Sequence, residues 1–560
     1  MVRYFLLIFL LIASPTFATD YYVDFDEGND NSSGLDSDNA WKTLPGTRNS
    51  GDTGWQETEW GSPAVFSSGS KVPAGTTFKI KSGTQHDSTD GGRILVDSTY
   101  YDNGSSGSEI VFQRDSSWGA GAVTIDGTSI AFADVADALF DVTQRDYIQI
   151  DGVSSGGIII RDATTMGLRG QGTSQASQQT GPDVNYVNFI NNTTSRTSGQ
   201  ASGNYAQLRF MRVKNATINH CNFDGDSNYT NGMLMGDDDN NCTNIAVNNS
   251  KSYNHSPPDD QDSGFGFKAE DSTVTWTNCE AYSNYKGWDS GGEDNGEAET
   301  ITYIHVNCKA YDNTAFGFAN STMHQYTATF KYINCLIYGN GSAGINIYGD
   351  DEYDQAHTLT AYIIHSTFYD NGGEANLRYG PNGCSDTAIV FKLYMYNNIF
   401  HKPASGSAAN TLLYYNPVSN SSLYADYNSY TYRSADTELF NHWGYANNCG
   451  NTEKTFTYAA LPEGNTGAAW YTDEDQSGAG TGHYQCDLNS VVGDPGLVDE
   501  ASDNFTATAS TPAGTDISGQ GWYDAGTMGT DINGNTRSSW TMGAYEYEDT
   551  SCTNCGVTIN

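Results

Sequence analysis

Basic side chains are scarce in this chain of 560 residues: 26 Lys and Arg stand against 67 Asp and Glu, for a net charge of −41. A nucleic-acid partner is therefore not expected, because neutralising phosphates requires a basic stripe. The same excess of one sign keeps an exported protein in solution. Proline is also rare, at 13 residues, and helical periodicity is hard to find anywhere. After the first turn of the chain no stretch approaches the ~18 consecutive apolar residues of a membrane span. Glycine (61) and tyrosine (37) are plentiful, with Asn, Asp, Ser and Thr throughout, which is the make-up of many short strands joined by turns. An aromatic content of 12% excludes a disordered acidic chain.

The N-terminus reads MVRYFLLIFLLIASPTFATDYY. One arginine, Arg3, precedes an apolar run over residues 4–13, Ser14 and Pro15 break it, and Thr16 and Ala18 are the small residues a signal peptidase selects. This order predicts a secretory signal over residues 1–18, cleaved after Ala18, and an extracellular product expected to be monomeric. Of the ten cysteines, Cys279, Cys308 and Cys335 recur at equivalent points of a repeat and are expected to be stacked, buried fillers. Cys449 with Cys486, and Cys552 with Cys555, are candidate bridges.

The repeat is the strongest signal. TNCEAY (277–282), VNCKAY (306–311) and INCLIY (333–338) continue a series anchored at Cys221, Ser250, Cys279, Cys308, Cys335, Ser366 and Asn398, spaced 29, 29, 29, 27, 31 and 32 residues apart. A near-constant period of this size marks a solenoid whose units stack to share a core. Each unit alternates with period two and is punctuated by Gly or Asn, which leaves room for three short strands and none for helices. The fold predicted is an all-β, right-handed parallel β-helix with coils of about 29 residues, equivalent residues lying ~4.8 Å apart in successive coils. Asn249, Asn278, Asn307 and Asn334 precede the anchors, and stacked amides can pair side chain to side chain.

The start YYVDFDEGNDNSSGLDSDNAWKTL, the segment VPAGTTFKIKSG, the central coils and the end GDPGLVDE…GTDINGNTRSSWTMGAYEY resemble right-handed parallel β-helix proteins of the pectate-lyase-like superfamily. The resemblance implies a cap with first coils over 19–85, a β-helix over 86–548 ending in closing coils, and a short tail over 549–560. Lyases, hydrolases, epimerases and adhesins share this fold, so chemistry must come from the exposed face.

Laying one strand of each coil over the next gives GMLMG (232–236), GFGFK (264–268), GWDSG (287–291), GFANS (317–321), GINIY (344–348) and EANLR (374–378). Alternation sends Phe265, Trp288, Ser290, Phe318 and Asn320 inward, and Lys268, Asp289, Asn346, Tyr348, Asn376 and Arg378 outward. Small residues between the outward groups leave a trough suited to an extended polysaccharide, with Asn346, Tyr348, Asn376 and Trp288 as candidate substrate contacts. Acidic loops flank it, and their hard oxygens suit calcium, with Asp259, Asp260, Asp262 and Asp289 as candidate ligands.

DSGFGFK followed by NYKGWD is most similar to the family 9 pectate lyases, whose calcium positions fall on Asp262 and Asp289 here. The chain departs from that pattern twice. Tyr285 and Lys286 stand where the family has paired acids, and the coil expected to carry its catalytic lysine reads Gly317-Phe318-Ala319. β-Elimination from a uronate needs the carboxylate neutralised and a base with a depressed pKa. Lys268 or Lys286 is the candidate base and Arg378 the candidate carboxylate clamp. Two alternatives stand beside the lyase: a non-catalytic carbohydrate-binding or adhesion protein, and a glycoside hydrolase using two carboxyl groups.

Overall fold

The computed structural model describes residues 19–48, 71–130, 132, 137–174, 176–193, 206–227, 230–236, 242–255, 263–268, 272–292, 299–322, 326–349, 358–372, 375–381, 390–402, 411–415, 422–431, 440–442, 454–456, 484–486, 489–499, 502–537 and 540–547. At some strand ends, Lys268 and Tyr348 among them, only the backbone path is described. The apolar leader, the acidic residues Asp259, Asp260 and Asp262, and Cys449, Cys552 and Cys555 lie outside the described residues.

Alternation and turn residues build a right-handed parallel β-helix of three sheets, with 14, 13 and 14 strands among the described residues, in order along the chain. One coil runs from Ser263–Lys268 through Ser272–Thr277 and Glu280–Tyr282 to Lys286–Gly292. These strands belong to what are here termed the site sheet, the back sheet, the short sheet and again the site sheet. The N-terminal strand Asp20–Val23 pairs in parallel with Thr77–Ser82 and so forms the first rung of the back sheet.

The corner between back and short sheets shows why the repeat has its sequence. His220, Asn249, Asn278, Asn307, Asn334, His365 and Asn397 all adopt φ between 50° and 60° there. That left-handed conformation is one asparagine tolerates better than most side chains. The amides then bond from coil to coil: Asn249 Nδ2 donates to Asn219 Oδ1 at 3.0 Å, and Asn278, Asn307 and Asn334 continue the ladder at 3.1 Å each. Next along the chain, Cys221, Cys279, Cys308 and Cys335 are buried, unbridged thiols. Burial raises the Cys221 and Cys335 thiols to about 12, so they act as inert filler.

A second asparagine ladder lies inside the corner between the short and site sheets. Asn313 Nδ2 donates to Asn340 Oδ1 at 2.9 Å and Asn340 Nδ2 to Asn371 Oδ1 at 2.8 Å, all with side chains buried. Beside it Gly264, Gly287, Gly317 and Gly344 occupy equivalent places. A Cβ on Gly317 would sit 2.6 Å from the Gly344 carbonyl oxygen and 3.0 Å from Asn340 Nδ2. The glycines are required by close approach to the ladder rather than by a left-handed φ.

One continuous core fills the solenoid, with aromatic rings stacked on its axis. Trp288 packs against Phe318 at 4.4 Å, and His305 lies between Trp276 and Tyr332 at 4.7 and 5.0 Å.

The C-terminal segment does not form the closing coils expected of it. Its strands Leu497–Asp499 and Asn504–Ala507 make a separate antiparallel pair. The rest folds back along the asparagine corner as a strap. Ile517 and Met528 cover Val306, Ile333 and Ile364, while Phe505 and Met542 cover Leu336 and Ile399. Those outward apolar residues in the middle coils explain the strap: left in water, the stripe would be an unpartnered hydrophobic surface.

Candidate functional site

The register of the site sheet sets the site. Leu234, Gly266, Asp289, Ala319, Asn346 and Arg378 are successive partners and form one outward column, and the backbone register continues to Tyr414. Two residues further along each strand, the backbone register pairs Lys268, Gly291, Ser321, Tyr348 and Gly380 in succession. The small residues Gly266, Ala319, Gly291 and Gly380 keep the floor low between the polar groups. Asp289 and Arg378 are three rungs apart, ~14 Å at the usual strand spacing.

Lys286 stands on the same wall. Its Nζ lies 2.9 Å from Asp289 Oδ2, and the two side chains keep 16% and 21% of their exposure. Residues three apart on a regular strand face opposite ways. Here the Lys286 ammonium nevertheless reaches the Asp289 carboxylate, with the ladder glycine Gly287 between them in the chain. The ammonium is thereby engaged by one of the protein's own carboxylates. The backbone of Lys268, the other candidate base, stands one rung before Gly291.

Other expected contacts move. Trp288 is fully buried between Phe265 and Phe318 and is a core residue, with no face to offer a sugar. Asn376 does not stand beside Asn346: the register pairs Asn346 with Arg378. Asn376 takes the glycine position of its coil and ends the inner ladder, accepting from Asn371 Nδ2 at 2.8 Å. Asn346 keeps its place on the outward column but is only 3% exposed. Arg378, half-buried, lies three rungs from Lys286 and four from Lys268, ~14 and ~19 Å along the sheet, so base and clamp would address different sugars of one polymer.

Calcium takes six to eight oxygens, and of the four candidate ligands Asp289 alone lies among the described residues. Its neighbours in the column, Gly266 and Ala319, carry no side-chain oxygen, and its carboxylate is already bound by an ammonium. Among the described residues no three His, Cys, Asp or Glu side chains converge into a metal-ligating group. The pairing of Lys286 with Asp289 is not legible in the sequence, because residues three apart on a regular strand face opposite ways.

No family model matches the chain, and no curated protein matches it. Among solved structures it is similar to the pectate lyase Pel9A, with 14% identity, 95% of this chain and 96% of that one covered, and a TM-score of 0.44. It is also similar to XylC in complex with xylose, at 9% identity, coverage of 95% and 98%, and a TM-score of 0.45. A third similarity is to the A-module of the mannuronan C-5 epimerase AlgE4 of Azotobacter vinelandii, at 14% identity, coverage of 65% and 82%, and a TM-score of 0.32. This is a right-handed parallel β-helix protein, and at such identities the likeness is one of fold.

Proposed function

We propose that the protein is exported, binds an extended uronate-containing polysaccharide along the site sheet, and cleaves it by β-elimination. The observation that carries this reading is the single outward column holding Asp289, Asn346 and Arg378 over a floor of small residues. A groove crossing stacked rungs suits a linear polymer, and local cations suit its carboxylates in a protein whose remaining surface is strongly acidic. Arg378 pairs with one sugar carboxylate through its planar fork. Lys268 removes the C5 proton of another sugar, the C5–H electrons form the C4–C5 double bond, and the C4–O bond breaks with the leaving oxygen taking up a proton. No step is routed through a metal.

The Lys286–Asp289 pair supports a second reading, binding without cleavage, because it engages one of the two candidate bases with an acid of the protein. A hydrolase has less support, since Asp289 is the one acid in its column from Leu234 to Arg378. The test is incubation of the purified mature chain with a panel of uronate polymers, following the ultraviolet absorbance of unsaturated ends. Lys268→Ala is expected to abolish that signal with unchanged thermal stability. Retention of every polymer without turnover selects the binding reading, and new reducing ends without absorbance select hydrolysis.

A further inference from the structure

We infer that acid releases the C-terminal strap through His365, because a second ring proton has no place where strap and coil meet. His365 belongs to the corner series of Asn249, Asn278, Asn307, Asn334 and Asn397 and shares its left-handed backbone, with φ of 52°. Along that series Asn249 and Asn278 are exposed and Asn307 is half-buried, while Asn334, His365 and Asn397 are sealed from water. The sealed positions are those the strap crosses. Asn334 Nδ2 donates to the Thr530 carbonyl at 2.6 Å, the Trp540 ring lies 5.5 Å from His365, and Thr515 bonds to Asn397. The strap is therefore what buries the histidine, and its release returns His365 to water.

Hydrogen bonds decide which ring nitrogen must stay bare. Asn397 Nδ2 donates to the Thr515 carbonyl at 2.9 Å, and the Thr515 N–H donates to Asn397 Oδ1 at 2.8 Å. This pair orients the amide, since turning it over would set donor against donor and acceptor against acceptor. The other Nδ2 hydrogen then points to His365 Nε2, 3.3 Å away, which has to accept it. A proton on Nε2 would oppose that hydrogen, and relieving the conflict breaks the Asn397–Thr515 pair. From the strap, Arg537 acts on the ring as a nearby positive charge; Glu546 pairs with Arg537 at 3.3 Å, and Asp531 accepts from the Glu546 N–H at 3.1 Å. Tyr523 packs on the Trp540 ring at 6.1 Å, and the coils on either side of His365 present the neutral amides of Asn334 and Asn397. Burial, and then the Arg537 charge, hold the His365 pKa well below the ordinary histidine value, against a backbone bond at Thr541. The docked strap thus refuses a proton that the released strap lets His365 take near pH ~6.5. Docking is at full strength above that pH and weakens as pH falls below it. Release also bares Val306, Ile333 and Ile364, so acid exposes an apolar stripe.

The test is amide hydrogen exchange of the full mature chain by mass spectrometry at pH 7 and pH 5, corrected for intrinsic rates. Wild type is compared with His365→Asn, which restores the residue of the neighbouring coils, and with His365→Gln. Strap peptides over 511–537 are read beside the coil strands Tyr326–Ile333 and Thr358–Ile364. The opening constant of the wild-type strap is expected to rise about 25-fold from pH 7 to pH 5, as for one group that titrates near ~6.5 only when released. In either variant it should rise less than threefold, and the coil strands should stay better protected than the strap throughout. No rise in the wild type, or an equal rise in the variants, overturns the inference. So does a single opening constant shared by strap and coil, which would mean that the strap does not release by itself. Should both variants leave the strap unprotected at pH 7, slow exchange of the His365 C2 hydrogen in the wild type decides. A midpoint that coincides with the strap's own pH response supports the inference, and one that does not overturns it.

Discussion

Arg537 Nη2 donates to Asn334 Oδ1 at 2.8 Å, so a residue 203 positions downstream closes the outer asparagine ladder. The same guanidinium pairs with Glu546 at 3.3 Å, both side chains being sealed from water. Burial brings the Arg537 pKa down to about 10, and the Glu546 charge opposes that fall. Removing one partner of a buried pair leaves an uncompensated charge, at a cost of about 3–5 kcal/mol. Arg537→Met is therefore expected to loosen the strap and lower the unfolding free energy by that order. Arg537→Met with Glu546→Gln should cost less than the two single changes together, which a double-mutant cycle on denaturant unfolding would measure.

The glycine column makes a second prediction. Gly317 has an ordinary φ, so alanine there is refused by space alone: its Cβ would meet backbone 2.6 Å away. Gly317→Ala is expected to destabilise by about 1–3 kcal/mol, as over-packing does. Thermal unfolding checks this, with Gly519→Ala as the control, since a Cβ there meets nothing within 4 Å.

Buried histidines set a pH dependence. His305 is fully buried, and desolvation lowers its pKa to about 3, while an unfolded histidine titrates near ~6.5. Between these values the unfolded chain binds a proton that the folded chain refuses. The contribution to stability is intact above pH ~6.5 and is lost progressively as pH falls toward 3. At pH 5 this one residue costs about 2 kcal/mol relative to pH 7. His305→Phe keeps a flat ring between Trp276 and Tyr332, and is expected to narrow the difference in stability between pH 7 and pH 5 by that amount. Equal differences in wild type and variant would show that His305 plays no part in it.

Much of this architecture can be read from residues that repeat. Cys279, Cys308 and Cys335 mark the rungs, and Asn278, Asn307 and Asn334 mark the corner they turn, because asparagine serves both a left-handed turn and a bonded amide stack. The site is less legible where a coil breaks the rule. Overlaying strands by their leading glycine puts Glu374 where Asn376 belongs, since that coil uses asparagine rather than glycine at the ladder. The slip preserves alternation but moves Arg378 by one outward position, from the Tyr348 column into that of Asn346. Trp288 illustrates the other gap: a large aromatic beside Asp289 in sequence points the opposite way, and only Phe265 and Phe318 above and below it make that plain. The strap was hidden because it contacts the coils through residues with no period at all.

The measurement that most directly tests the functional account is the retention of a uronate polymer by two single-charge variants on different walls. Arg378→Ala removes a cation from the outward column of the site sheet. Lys309→Ala removes one from the short sheet, where it pairs with Glu280 at 3.7 Å. Loss of a charge-assisted contact should weaken retention about tenfold for Arg378→Ala, and Lys309→Ala should bind like the wild type. Equal losses in both, or none in Arg378→Ala with the fold intact, would contradict a polymer lying across the site sheet.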